Sequence, residues 1–195
     1  MDQEPIRTRV LDAAEELFYG RGVQSVGMDE IRTASGVSLK RLYQLFPSKG
    51  ELVQVYLARR DTRWRQALAC QVETHEGPEE RILAVFDWLH RWFGDPGFRG
   101  CGFINSFGEL GATTPAVADA ARAHKEAFRA YLGGLVAAAG RSEALAGQLA
   151  LLAEGAMTSA AISGSAEPAR QAQAAARVLL GAAAGASVPA GAPAR

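Results

Sequence analysis

Residues 28–45 hold two short helical runs, about Met28–Ala34 and Leu39–Leu45. They are joined at Gly36-Val37, with Ser38 placed to cap the second. This pair constrains the chain more than any other feature, because the turn between the runs must be tight. Gly36 permits a turn conformation that a side chain would strain. Ile31, Ala34, Val37 and Leu42 are small apolar side chains suited to locking the two helices together. A longer run, about Pro5–Tyr19, lies in front, with Val10, Ala13, Ala14, Leu17 and Phe18 on one face. Gly20 and Gly22 stop it. This is the helix-turn-helix arrangement, whose second short helix suits the major groove of DNA.

The remaining punctuation predicts helices throughout. Pro47 ends the third run, and Ser48 with Glu51 has capping-box spacing for a long helix to about Gln71. Pro78 opens a helix to about Phe93, and the cluster 94–100 breaks the chain. Further helices are expected at about Cys101–Leu110, Pro115–Ala139, Ser142–Ile162 and Pro168–Ala183. The fold class is therefore all-α, about nine helices. The division expected is a helix-turn-helix DNA-binding domain at 1–50, a helical ligand-binding and dimerisation domain at 51–184, and a disordered Ala/Gly/Pro tail at 185–195.

The formal net charge is zero, so composition alone does not announce a nucleic-acid binder. Its distribution says more: Arg32, Lys40, Arg41 and Lys49 fall within 31–50, which contains no acid. Lys40, Arg41, Tyr43 and Gln44 are assigned to the exposed face of the third helix. Lys and Arg donate to guanine edges and Gln pairs with adenine. Tyr43, Lys49 and the helix-start amides near Gly27 and Ser38 suit phosphate oxygens.

Ser35-Gly36-Val37-Ser38-Leu39-Lys40-Arg41-Leu42-Tyr43-Gln44-Leu45-Phe46-Pro47-Ser48-Lys49 resembles the signature of TetR-family regulators. There an Ala-Gly-Val-Ser turn leads into a short helix ending Leu-Tyr-x-x-Phe, then x-Ser-Lys and a long helix. The likeness extends back through Ala13-Ala14-Glu15-Glu16-Leu17-Phe18, Gly22 and Asp29-Glu30-Ile31, covering about Ile6–Tyr56. It implies DNA-facing positions at Gly27, Ser38, Leu39, Lys40, Arg41, Tyr43, Gln44 and Lys49. The chain departs from the pattern with Gly27 for a capping Thr, Lys40 for Gly and Leu45 for His. Farther on, Arg99-Gly100-Cys101-Gly102-Phe103-Ile104-Asn105-Ser106 with Glu109-Leu110 resembles a subset with a Gly-Cys motif before the sixth helix, drug-responsive repressors among them. The resemblance implies a small-molecule pocket among the middle helices and a dimer interface formed by the last two. It also implies repression of a palindromic operator, relieved by ligand.

Trp88, Trp92, Phe103, Phe107, Phe128, Tyr131 and Met157 are candidates to line an apolar pocket, and Asn105 and His124 to orient a ligand. Leu145, Leu149, Leu152, Ala156, Ala160, Ala172, Ala176 and Leu179 are candidates for the interface of a homodimer, because small residues permit close helix packing. The expected partners are double-stranded operator DNA, a small-molecule effector and a second copy, with no membrane. The alternatives are a helical carrier or enzyme without sequence-specific DNA binding, and a regulator with a protein or thiol-redox signal. No residue set suggests a catalytic triad, a phosphate loop or a metal site, so neither catalysis nor a cofactor is expected. Cys70 and Cys101 read as buried thiols. The charged N-terminus lacks a secretion signal's apolar core, and the apolar stretch 130–140 is too short to span a bilayer. A cytoplasmic setting is expected.

Overall fold

A computed structural model describes residues 3–185. Among the described residues there are nine helices and no strand: α1 Gln3–Arg21, α2 Met28–Ser35, α3 Leu39–Leu45, α4 Lys49–Val72, α5 Pro78–Phe93, α6 Gly102–Leu110, α7 Pro115–Ala138, α8 Glu143–Ser163 and α9 Glu167–Gly185. The expected tail lies, beyond Gly185, outside the described residues. By packing, the described residues form two compact units, 3–67 with 96–127, and 68–95 with 128–185.

The helix boundaries follow local chemistry. Ser38 caps α3, its hydroxyl oxygen accepting the Arg41 N–H at 3.2 Å. Ser48 does the same for α4 with the Glu51 N–H at 3.1 Å. α2 and α5 start at glycines, and there the capping group is a glutamate in the first turn. Glu30 accepts the Gly27 N–H at 3.1 Å and Glu80 the Gly77 N–H at 3.3 Å. Ser142 stands at the start of α8, but its side chain makes no cap bond. At the end of α2, Gly36 adopts φ 66°, ψ 24° and donates to the Arg32 carbonyl at 3.0 Å.

In the first unit, Val10, Ala14, Val26, Ile31 and Leu42 are fully buried and hold α1, α2 and α3 together. Burying Ile31 and Leu42 contributes about 1.5–3 kcal/mol each. Ala34, expected in this lock, is exposed. The neighbouring Ser35 is buried in its place, its hydroxyl satisfied by the Ile31 carbonyl at 2.7 Å. α4 lies against α1 through the Phe18–Tyr56 edge-to-face pair, 5.5 Å between centroids. Glu15 gathers Arg60 at 3.2 Å and Arg63 at 3.0 Å, and Arg59 binds Asp12.

In the second unit, α5, α8 and α9 pack together. Gln173 donates to the Leu83 carbonyl at 3.0 Å, fixing α9 on α5. Arg141 pairs with Glu79 and Arg170 with Asp87. α8 is long and apolar enough to cross a membrane by length and composition alone. Glu143 and Glu154 interrupt its sequence, so the stretch 130–140 looked longer. Here Leu145, Leu149, Ala153, Met157 and Ala160 of α8 are buried. Cys101 is buried but Cys70 is exposed, correcting the reading of two buried thiols.

A Cβ at Gly36 meets nothing within 4 Å, so only the positive φ opposes substitution there. Gly36→Ala is expected to cost about 1 kcal/mol in denaturant unfolding, and Gly36→Asn less. Gly20, equally unobstructed but helical, should gain up to about 0.5 kcal/mol on change to Ala. Equal effects at the two glycines would refute this account of the turn.

Candidate nucleic-acid interface

α3 presents a continuous outer face. Leu42 is fully buried, which turns Leu39 (43% exposed) and Tyr43 (45%) outward with the exposed Lys40 and Gln44. Arg41 is half-buried, and its guanidinium donates to the Gln44 side-chain oxygen at 3.3 Å. That bond aligns two of the polar groups suited to base edges. The Leu39 and Lys40 amides open the helix without intrahelical acceptors, where phosphate oxygens are favoured. Lys49 reaches the Gln24 carbonyl at 3.4 Å, on the same side as the α1–α2 loop.

Gly27, expected to offer an amide to phosphate, has that amide engaged by Glu30. The Gly27 N–H, then Arg21, hold the Glu30 carboxyl below its usual range. An anionic side chain thus occupies the start of α2, and this corrects the reading of a free amide there.

The pocket candidates fall apart into two sets. In the first unit Asn105 is exposed and donates to the Arg99 carbonyl at 2.8 Å, pinning its own loop. His124 is buried, stacked on Phe103 at 3.9 Å and edge-on to Trp64 at 5.1 Å. Its Nδ1 lies 2.7 Å from an Asp61 carboxylate oxygen. Asp61 also accepts from Arg65 at 2.9 Å. His124 is therefore a satisfied core residue, which corrects its reading as a ligand-orienting group. Burial lowers its pKa to about 4, more than the Asp61 hydrogen bond can offset. Burial opposes ionisation of Asp61, but the bonds from Arg65 and His124 together keep its carboxyl below the usual range.

Phe103 and the half-exposed Phe107 do share a groove, of about 330 Å³, with Ile104 on α6. α7 supplies the other wall through Ala118, Ala121, Arg122 and Lys125, all missed by sequence reasoning. Their three-to-four-residue spacing along α7 was the available signal. In the second unit Phe128 and Met157 are buried, Tyr131 is half-buried, and the Trp88 and Trp92 rings lie tilted by 31° with centroids 5.4 Å apart. Among the described residues, no group of three or more His, Cys, Asp or Glu is placed to hold a metal ion.

The interface candidates also need correction. Leu145, Leu149, Ala156, Ala160, Ala172 and Ala176 are buried inside the protomer, and Leu152 and Leu179 are half-buried. The small residues let α8 and α9 approach each other and α5. What α8 and α9 leave in solvent is a different stripe, with Leu151 76%, Ile162 83% and Val178 71% exposed.

A short capped helix with an outward polar face, locked behind a glycine turn, defines a helix-turn-helix DNA-binding regulator. Residues 10–56 match the profile of bacterial regulatory proteins of the tetR family, and 78–176 that of the tetracyclin repressor-like C-terminal domain. The chain belongs to the TetR family, and is a transcriptional regulator rather than an enzyme. Its fold matches SCO4454, a TetR-family transcriptional regulator from Streptomyces coelicolor, with TM-score 0.85 and 27% identity over 92% of this chain and 96% of that one. For sav143 from Streptomyces avermitilis the TM-score is 0.72 and identity 30%, over 88% and 98% of the two chains. The transcriptional activator FasR of Mycolicibacterium smegmatis is 38% identical over 87 residues, 43% of this chain and 40% of that protein. The uncharacterized regulator Rv1255c of Mycobacterium tuberculosis is 39% identical over 75 residues, 38% and 37% of the two chains. The chain thus spans about two fifths of the length of these last two.

The His124 site generates a pH prediction. Above pH 6.5 His124 is neutral in both folded and unfolded chains. As pH falls below 6.5 the unfolded chain takes a proton that the folded chain refuses until about pH 4, so stability drops across that window. The slope from this group is at most about 1.4 kcal/mol per pH unit. Urea unfolding at several pH values should show it, and His124→Phe should flatten it. Parallel curves for the two proteins would overturn the assignment.

Proposed function

We propose that the chain acts in the cytoplasm as a homodimer whose two α3 helices read a palindromic operator. The observation that carries this reading is the fixed outer face of α3, with Lys40, Tyr43 and Gln44 held outward by the buried Leu42. Lys40, Arg41 and Gln44 choose bases, while Ser38, Leu39, Tyr43, Lys49 and the first-turn amides position the backbone. Half-sites sit roughly 34–36 Å apart on one face of the DNA. By function the chain divides into a DNA-binding part, 1–50, and an effector-binding and dimerising part, 51–184.

The second copy covers the stripe of Leu151, Ile162 and Val178, three large apolar side chains that water otherwise surrounds. An isologous two-fold contact is the simplest way to bury them. A small molecule with an apolar body is the signal. It releases DNA by binding better to a dimer geometry in which the half-site spacing is wrong. The regulatory sign is repression, and the activator FasR among the relatives makes this the part most in need of test.

Selection from a random DNA pool at moderate salt should enrich one palindrome. Lys40→Ala should weaken the selected site by about 1–3 kcal/mol, and Tyr43→Phe by about 0.5–1.5 kcal/mol. Leu151→Glu with Val178→Glu should sediment as a folded monomer and lose cooperative operator binding. Weak, unselective binding by the native protein would rule out an operator-reading dimer and favour a ligand carrier.

A further inference from the structure

We propose that the groove between α6 and α7 binds an amphipathic carboxylate, with the apolar body along the groove and the carboxylate at Arg122 and Lys125. This rests on the effector-responsive reading above and names the chemical class of the effector. Phe103, Ile104 and Phe107 form one wall, and Ala118 and Ala121 the other. Ile104 (38%) and Phe107 (52%) are large apolar groups left open to water on a short helix. At about 330 Å³ the groove sits at the small end of ligand sites, so it suits a slim chain rather than a drug-sized ring system.

The polar lining fixes the sign of the headgroup. Both charged residues of the lining, Arg122 and Lys125, are cations. The half-buried Lys125 donates from its ammonium to the Cys101 sulfur at 3.3 Å, which places that charge beside the start of α6. Arg122 pairs with Asp119 at 2.7 Å, but both side chains are about two-thirds exposed. An exposed pair of this kind is weak and readily exchanged for an incoming carboxylate, and Asp119 is then the competitor. A neutral ligand would gain only the apolar wall.

The groove is wired to the DNA-binding helices within its own unit. Just before α6, the Tyr19 hydroxyl donates to the Gly100 carbonyl at 2.8 Å and accepts the Arg99 N–H at 2.9 Å. At the far end, Glu109 accepts the Gln24 N–H at 2.6 Å, and the Gln24 side chain donates back to the Glu109 carbonyl. α6 is thus fastened at both ends to α1 and the α1–α2 loop. A chain inserted beside α6 presses on a helix whose displacement must strain or carry those bonds.

The test titrates the full-length protein with decanoate and with 1-decanol, followed by calorimetry, for the native protein and for Arg122→Gln, Asp119→Asn and Phe107→Ser. Decanoate should bind with one saturable site per chain and more tightly than decanol. Arg122→Gln should weaken decanoate about tenfold and leave decanol unchanged. Asp119→Asn should tighten decanoate two- to threefold, a gain that misfolding cannot mimic. Phe107→Ser should weaken both ligands. Equal binding of the two ligands, decanoate affinity indifferent to Arg122 and Asp119, or no saturable heat would each overturn the proposal. The same proteins are assayed on the selected operator. Operator binding without decanoate binding sinks the groove alone; decanoate binding without operator selection sinks the regulator reading alone.

Discussion

The rotation of α3 about its own axis is the constraint on which the rest depends. A helix of seven residues has no stability of its own, so its orientation is imposed from outside. Three things impose it. Gly36 in the left-handed region turns the chain sharply, Ser38 ends the turn by capping, and Leu42 anchors the inner face beside Ile31. A rotation of one residue would bury Tyr43 or Arg41 and expose Leu42. The cost of that exchange keeps the polar face outward, and function follows from the burial of one leucine.

Charge is used locally rather than globally. Three of the four arginines of α4 pair with α1: Arg59 binds Asp12, and Arg60 and Arg63 meet on Glu15. Arg60 also lies 3.6 Å over the Tyr19 ring. Arg59 and Arg60, with side chains 23% and 12% exposed, hold the two helices together, while Arg63 stays 61% exposed. The cations on and next to α3, the face proposed to meet DNA, are Lys40, Arg41 and Lys49, on a chain of zero net charge. Non-specific attraction is therefore modest, and with screening over about 8–10 Å at ordinary ionic strength it does not extend far from the α3 face. Discrimination must come from close fit.

The elements were legible because their signals are local. Pro78, Pro115, Gly36 and Ser38 mark ends through backbone geometry that tertiary packing does not alter, and the helix starts at 28, 39, 78 and 115 stand where they were expected. The outer face of α3 was legible for the same reason. Faces of the alanine-rich helices were not. Ala34 and Ser35 differ by one position, and only the packed structure decides which turns inward. In α8 and α9 apolar residues lie on every side, so periodicity cannot say which stripe meets α5 and which meets solvent. Leu145 and Leu149 went inward and Leu151 outward. His124 was illegible because its partner, Asp61, is 63 residues away in sequence. The groove wall on α7 was missed because the spacing of Ala118, Ala121, Arg122 and Lys125 marks one helix face without saying what that face lines.

The proposed coupling of a ligand to DNA release sets an energetic requirement that the geometry must meet. Moving a two-state equilibrium from almost fully DNA-competent to almost fully incompetent takes roughly 5.5 kcal/mol of differential binding. A symmetric dimer divides that between two grooves, so each ligand must prefer one state by a little under 3 kcal/mol. A surface depression on a rigid helix could not supply this, because it would look the same in both states. A groove whose one wall is α6 can. That wall is bonded through Tyr19 and Gln24 to α1 and the α1–α2 loop, and the proposed coupling runs through those bonds. Any ligand sensitive to the width is then sensitive to the position of the DNA-binding helices. In the proposed mechanism linkage makes the effect reciprocal: operator DNA that disfavours the ligand-preferring state must weaken the ligand by the same factor.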